Sequence, residues 1–292
     1  MLGATLVDTL RKKYDVYATS SNNFKLNQAK NFLKFDLAKD NFQKLISWSK
    51  PNVIIHCAAL TNLDYCEINP EETKLINTDS IKRLLEPNKR VKLIFISTDA
   101  VFSDSISNAT EEDQIDPQSI YGKSKYNAEK YLLNDNENHL VIRTTIVGKN
   151  INIDKQSFVE WIITSLKNNK KITLFSDSYF SPITIWDLAN EIDWVLSNNI
   201  SGLFHISGIE PISKYSFGMK ICNRLGLDSS LIQKGSIENF TFVAKRSKNQ
   251  TLNSSLYMKL TKRRLPSIKE TINQINYHFN ETMIKHASSL TK

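Results

Sequence analysis

Tyr121 and Lys125 are four residues apart in Tyr121-Gly122-Lys123-Ser124-Lys125, where a stretch of helical spacing opens. Positions i and i+4 share one helix face, so a phenol and an ammonium are set on the same side. A free phenol titrates near pH ~10 and donates protons poorly at neutral pH. A neighbouring ammonium stabilises phenolate and brings the group towards a working range. Turning a ketone into an alcohol takes a hydride and a proton, so such a phenol suits a site beside a nicotinamide. Taken alone, Y-x-x-x-K is a common chance match, and an exposed helix face explains most of its occurrences. Upstream, a β-branched run ends in Ser97-Thr98-Asp99-Ala100-Val101-Phe102. Hydroxyls at the carboxyl end of a parallel strand stand where α/β sheets bind ligands. Thr98 could hydrogen-bond a substrate carbonyl there; a strand-end cap is the plainer reading of Thr98 by itself. A further run ends in His56-Cys57-Ala58-Ala59-Leu60-Thr61. Ala58 and Ala59 are small enough for backbone to approach a flat or anionic ligand. His56 and Cys57 read as a strand-end histidine and a buried thiol, with no metal-ligand spacing around them.

These groups need a frame. Residues 16–19, 52–57, 91–97 and 140–145 read as short strands, and 3–12, 71–85 and 123–133 have helical spacing. That alternation is the rhythm of βαβ units and predicts a Rossmann-type doubly wound parallel sheet. Residues 1–148 are expected to form the dinucleotide-binding domain, with about 182–206 returning to it. Residues 149–292 are expected to be mainly a smaller α+β substrate-binding region. In it, 158–166, 182–195, 215–225 and 267–279 read as helices, and 172–175 and 203–206 as strands. A Rossmann sheet opens with a strand and a Gly-rich turn. Met1-Leu2-Gly3 reads as the end of that turn, with Gly3 as the final glycine that lets helix and sheet pack closely. The expectation is a sequence that starts late, lacking the first strand and the earlier glycines. Without that central strand, backbone would stand unpaired in mid-sheet.

The bulk properties exclude several classes. The formal charge is +8 and the pI about 9.2, but the basic residues are scattered among Asn and Ser. The densest cluster, Lys262-Arg263-Arg264, has no aromatic interleaving, which argues for a solvated surface and against nucleic acid. Three cysteines are too few for a disulfide framework or a four-ligand zinc site and suit a reducing cytoplasm. No apolar run of about 18 residues predicts a membrane span, and the N-terminus lacks a signal-peptide pattern. A soluble cytoplasmic protein is expected.

Taken in order, these segments resemble the extended short-chain dehydrogenase/reductase superfamily, and more narrowly the dTDP-4-dehydrorhamnose reductase family, over nearly the whole chain. Ala58-Ala59-Leu60-Thr61-Asn62-Leu63-Asp64-Tyr65-Cys66-Glu67-Ile68-Asn69-Pro70 is similar to that family's A-A-x-T-x-V-D-x-x-E-x-x-P, and Asn77 matches its downstream Asn. Ser97 to Phe102 resembles S-T-D-Y-V-F, and Tyr121 to Lys125, followed by Glu129, resembles Y-G-x-[ST]-K. Arg143-Thr144, Phe180-Ser181-Pro182-Ile183, Gly202-Leu203-Phe204-His205 and the run from Ala244 to Leu252 continue the match. The resemblance implies Thr98, Tyr121 and Lys125 as the catalytic set, with Lys125 also on the nicotinamide ribose. It implies a cofactor surface of Gly3, Ser20, Ser21, Asp36, Leu37, Ala58, Ala59, Thr61, Asn77 and Ser97 with Tyr121 and Lys125. Thr98, Asp99, Ile146 and Arg246 are implied at the substrate, and no metal.

Ser20-Ser21-Asn22 and Lys25 stand where an acidic residue would favour NAD, so NADP is favoured and NAD is the alternative. Ala100 replaces the family's usual Tyr, Ile146 stands where some rhamnose-pathway reductases have Trp, and Ser247 replaces Pro, which leaves the sugar open. Dehydratases of the superfamily carry an acid straight after T-D; Ala100 there argues against dehydration. The function implied is NAD(P)H-dependent reduction of a nucleotide-linked 4-keto-6-deoxy sugar, as in dTDP-rhamnose biosynthesis. The alternatives are a nucleotide-sugar epimerase and a non-catalytic regulatory subunit resembling the β subunit of methionine adenosyltransferase. A homodimer is compatible with each.

Overall fold

The computed structural model describes residues 1–22, 29–87, 90–151 and 155–290, with side chains described as far as Asn280. Helix α1 (Leu2–Leu10) comes first, then β1 (Tyr17–Ser20), β2 (Asn31–Lys34), α2 (Phe42–Ser49) and β3 (Val53–His56). A broken helical passage follows: α3 (Leu63–Ile68), α4 (Pro70–Lys74), a π-turn over Leu75–Asp79, and α5 (Ser80–Leu85). Then come β4 (Lys92–Ile96), α6 (Ile120–Asp135), β5 (Leu140–Arg143), β6 (Ile146–Val147), α7 (Phe158–Lys167), β7 (Ile172–Phe175), β8 (Tyr179–Phe180) and β9 (Ile183–Thr184). The rest is α8 (Ile185–Ser197), β10 (Gly202–His205), β11 (Ile212–Ser213), α9 (Lys214–Leu225), β12 (Ile232–Gly235), β13 (Asn249–Gln250), α10 (Ser255–Thr261) and α11 (Ile268–Leu290).

The main sheet has the order β10-β5-β4-β3, every pairing parallel. Its central strands read as continuous apolar runs because both faces are covered. Alternation assigns the faces. Ile94, Ile96, Leu140 and Ile142 join Leu2, Leu6 and Leu10 of α1 and Leu188, Ile192 and Val195 of α8 in one core. Leu93, Phe95 and Val141 face the other way, onto Phe42 and Leu45 of α2, Leu84 of α5 and Leu132 of α6. A third core gathers α7, α9 and α11 around Phe217 and Ile162. The molecule is thus α/β with a doubly wound parallel frame, and β10 returns residues 202–205 to that frame beside β5.

β1 pairs with β2 in parallel as a separate two-stranded sheet, and no pairing among the described residues joins it to β3. The break falls where the central strand of a 3-2-1-4-5-6 order would run. Other differences from expectation are local. Residues 71–85 are not one α-helix, because a π-turn interrupts them at Asn77. Helices α2, α3 and α10 and the two-residue strands were not expected; at one or two turns each they carry too little periodicity to read. Among the described residues, no helix is long and apolar enough to cross a membrane.

Candidate active site

β4 delivers its chain end at Ser97 and Thr98, both buried. A 3-10 turn over Asp99–Val101 follows, capped by Thr98 Oγ, which accepts from Ala100 N–H at 3.2 Å. Helix α6 starts opposite this turn. Ser119 Oγ accepts from Gly122 N–H at 3.1 Å, and Glu67 on α3 accepts from Ile120 N–H at 3.0 Å. A Cβ on Gly122 would lie 2.2 Å from Ala100 O, so the approach of the two turns requires glycine there. That approach sets Tyr121 close enough to Thr98 for the hydroxyl to act on the phenol.

Lys125, one turn further along α6, is only 2% exposed, with Nζ 3.8 Å from the centroid of the Phe95 ring. Burial pulls its ammonium down to about 7, against the opposing pull of Glu129 and Cys57. The phenol does not behave as its spacing from Lys125 predicts. Burial pushes Tyr121 well above its ordinary range, Asp99 adds to that, and the Thr98 hydrogen bond only partly offsets it. The Lys125 charge acts on His56 and Cys57 instead, so the i,i+4 spacing does not by itself bring it to bear on the phenol.

Under this pair lies a closed polar network. Glu129, wholly buried, accepts from Ser97 Oγ and from Arg143 through Nε at 3.1 Å and Nη2 at 2.7 Å. His205 Nε2 stands 3.5 Å from Arg143 Nη1, and its Nδ1 is 2.9 Å from Ala109 O. Burial, then Arg143, pull His205 down to about 3, so the ring is neutral, donating from Nδ1 and accepting at Nε2. Ser97, which the resemblance places at the cofactor, therefore spends its one hydroxyl hydrogen on Glu129 and has only acceptor capacity left for a ligand.

The residues expected at the cofactor fall into two groups. Ala58 and Thr61 are exposed and Ala59 half-buried, on the turn after β3. Asn77 is wholly buried: Oδ1 accepts from Leu60 N–H at 2.8 Å, and Nδ2 donates to Leu60 O and Ser124 Oγ, each at 3.0 Å. It holds that turn from within the π-turn over Leu75–Asp79, with its amide spent inside the protein. Asp36 Oδ1 accepts from Ala38 N–H at 2.9 Å, and Leu37 packs on the core while its carbonyl accepts from Arg83 at 2.6 Å. Ser20 is half-buried and Ser21 exposed at the end of β1; Lys25 lies outside the described residues. Gly3 does not need to be glycine for packing, since a Cβ would meet Cys57 Cβ at an ordinary 3.7 Å. His56 is pulled down to about 3, chiefly by burial, with Ser80 Oγ 3.3 Å from Nε2; burial raises Cys57 to about 12. Neither is a candidate acid–base group. The residues present fit a nicotinamide dinucleotide. The start of α1 has no side-chain cap, it abuts Cys57 at the end of β3, and Lys125 holds a buried ammonium near that thiol.

On the substrate side the expected residues also divide. Asp99 is 5% exposed and its oxygens are taken: Oδ1 accepts from Thr98 at 3.0 Å and Gln250 at 3.4 Å, and Oδ2 from the Thr145 hydroxyl. It is a positioning group here, not a direct ligand. Ile146 pairs with Ile183 across β6 and β9 and packs on the central core. Arg246 donates to Asp64 Oδ2 at 2.6 Å, and its buried Nη1 has no partner. It lines a cavity beside the 99–101 turn with Leu63, Ala100, Phe102, Lys214 and Lys245. Sequence reasoning missed Lys214, Lys245 and Gln250, which only the fold brings here. It also missed what Asp64 and Glu67 do, although their spacing on one short helix was the available signal. A larger open cavity near Asp187, Glu191, Arg263 and Glu270 lies away from these groups, and its charges pair among themselves, as in Arg263–Glu191 at 2.5 Å.

Comparison with known proteins agrees with this frame. The chain is 28% identical over 209 residues to the probable low-salt glycan biosynthesis reductase Agl14 of Haloferax volcanii, covering 70% of each protein. It is 29% identical over 219 residues to methionine adenosyltransferase 2 subunit beta of Rattus norvegicus, covering 72% of this chain and 65% of that one. The crystal structure of a dTDP-4-dehydrorhamnose reductase from Clostridium acetobutylicum superposes with a TM-score of 0.81 at 26% identity over 96% of both chains. The profile of the RmlD substrate binding domain family matches residues 1–280, and the chain belongs to that family.

Proposed function

We propose that the chain is a cytoplasmic reductase of a nucleotide-linked 4-keto-6-deoxy sugar. The observation that carries this is the junction at the end of β4, where Thr98 and Tyr121 meet beside the buried Lys125 and a cavity lined by Lys214, Lys245 and Arg246. A phenol held at a hydroxyl can protonate an oxygen, and the cations lining the cavity beside the 99–101 turn suit the diphosphate of a nucleotide sugar. A nicotinamide bound against the turn after β3 would supply the hydride. Tyr121 would deliver the proton to the carbonyl oxygen, Thr98 would hold that oxygen in place, and Lys125 would hold the ribose. Arg246, anchored by Asp64, would turn its unpartnered Nη1 to phosphate. Ser20 and Ser21, with no acid at the end of β1, support NADP over NAD. Residues from about 149 onward, apart from 182–206, would form the substrate-binding region.

The test is NADPH oxidation with dTDP-4-keto-6-deoxy sugars. Tyr121→Phe should lower kcat by about 10²–10⁴-fold while cofactor still binds; undiminished turnover overturns the reading. The relationship to a methionine adenosyltransferase β subunit supports a second reading, a regulatory subunit without turnover. Cofactor binding with no reduction, together with a stable protein partner in pull-downs, would favour it.

A further inference from the structure

A phenol that gives up its proton at each turnover must recover it. In this structure Thr98 is the side chain that acts on the Tyr121 phenol, and Thr98 is tied to Asp99 by a 3.0 Å bond to Oδ1. A hydroxyl has one hydrogen to donate. While it points at an Asp99 carboxylate, and Oγ accepts from Ala100 N–H at 3.2 Å, Thr98 has no hydrogen for the phenol or a substrate oxygen. When Asp99 is the carboxylic acid the bond reverses: Asp99 donates to Thr98 Oγ, and the Thr98 hydrogen is released towards Tyr121.

We propose that Asp99 is the proton reserve of this site, returning a proton to Tyr121 through Thr98 and setting the direction in which the Thr98 hydroxyl points. After Tyr121 has protonated the alkoxide, the phenolate takes the Thr98 hydrogen, Thr98 takes the Asp99 proton, and Asp99 is left as carboxylate. The proton is then restored to Asp99 from solvent in the adjoining cavity, which Lys214 lines. One proton moves along each bond and nothing is oxidised beyond the hydride donor.

The surroundings suit this role. Burial raises Asp99 to about 6, against the hydrogen bonds from Thr145 and Thr98 and the charge of Lys214, so both forms are accessible near neutrality. The charged and titratable groups facing it are Tyr121 from α6 and Lys214 at the start of α9, with Arg246 acting on Lys214 in turn. Thr145 after β5 and Gln250 on β13 meet it as neutral donors. Lys125 lies over Phe95 and acts with Glu129 and Cys57, so it does not compete for this bond.

The proposal rests on the reductase reading, and its test separates the two. In cofactor-free protein, ¹³C-carboxyl NMR should show a resonance titrating near pH 6 that is absent from Asp99→Asn; a side-chain carboxyl titrating near ~4 at that position overturns the proposal. In the holoenzyme, kcat should fall as pH rises through that value, since the relay needs the acid form. Asp99→Asn should lose that limb and lower kcat about 10²-fold with KM within about threefold. Lys214→Met removes a cation that favours carboxylate, so it should move the limb to higher pH, and this holds the proposal to account if Asp99→Asn misfolds. Asp99→Asn turnover within about twofold of wild type, or an unchanged pH profile in it, overturns the relay. A wild type that binds NADPH but reduces no sugar overturns the reductase reading, and the carboxyl titration then decides Asp99 by itself.

Discussion

The two walls of the candidate cleft are built on opposite plans. The wall from β4 and α6 is closed and saturated: Glu129 and Arg143 are 1% and 3% exposed, and Ser97, Asn77 and Asp99 have their side chains committed within the protein. The facing wall, from residues 214–250, carries cations that are more exposed and more loosely held. Lys245 is 55% exposed, 4.0 Å from Asp104, and Arg246 is bonded on one side to Asp64 with Nη1 unpartnered. A saturated wall fixes the geometry of proton transfer, where small displacements are expensive. A wall with unspent donors leaves charge for an anion to neutralise. Damage to the first should therefore appear in stability and kcat, and damage to the second in KM and its dependence on salt.

The largest expected effect that would break this contrast is on the saturated wall. Glu129→Gln leaves the Arg143 guanidinium buried without its counter-ion and should destabilise the fold by about 3–5 kcal/mol, read as a lower urea midpoint. Lys125→Met tests the same wall with the opposite sign. The folded state holds the lysine at about 7, below its ordinary value, so its burial costs stability at and below that pH. The penalty fades as pH rises from about 7 towards ~10.4, where the unfolded chain also loses the proton. The variant should gain on the order of a few kcal/mol at pH 6–7, seen as a higher Tm, with little gain near pH 10 and with turnover lost. On the facing wall, Arg246→Gln should raise KM for a nucleotide sugar about tenfold, near 1.4 kcal/mol, with a smaller change in kcat. The wild-type KM should also worsen with salt more steeply than the variant's. The smallest effect is at Gly3 of α1, beside Cys57 at the end of β3. Gly3→Ala should stabilise by about 0.5–1 kcal/mol, because the space for a Cβ exists and the helix gains from it. A loss of cofactor binding there without a loss of stability would show that Gly3 serves backbone approach by a ligand.

Much of the frame was legible because it is local. A strand buried on both faces must be apolar throughout, so 91–97 announced itself; 52–57 is as apolar a run although its strand lies at the edge and is half-buried, and α6 follows from the spacing over 123–133. Helices of one or two turns, such as α3, gave no period to read. Yet α3 carries Asp64 and Glu67, which anchor Arg246 and the start of α6. The reason for Gly122 was also hidden, since it depends on a carbonyl of the 99–101 turn and not on its own neighbours.

Sequence alone determined that a phenol and an ammonium would sit one turn apart on one helix face and that a threonine would end a strand, because helix and strand geometry dictate each within a short stretch. Only the tertiary structure decided what those groups are worth. Partners 32 residues apart, Ser97 and Glu129, and 182 apart, Asp64 and Arg246, meet through folding. Burial, a property of the whole packed molecule, raises the phenol, lowers the ammonium and leaves Asp99 poised between its two forms.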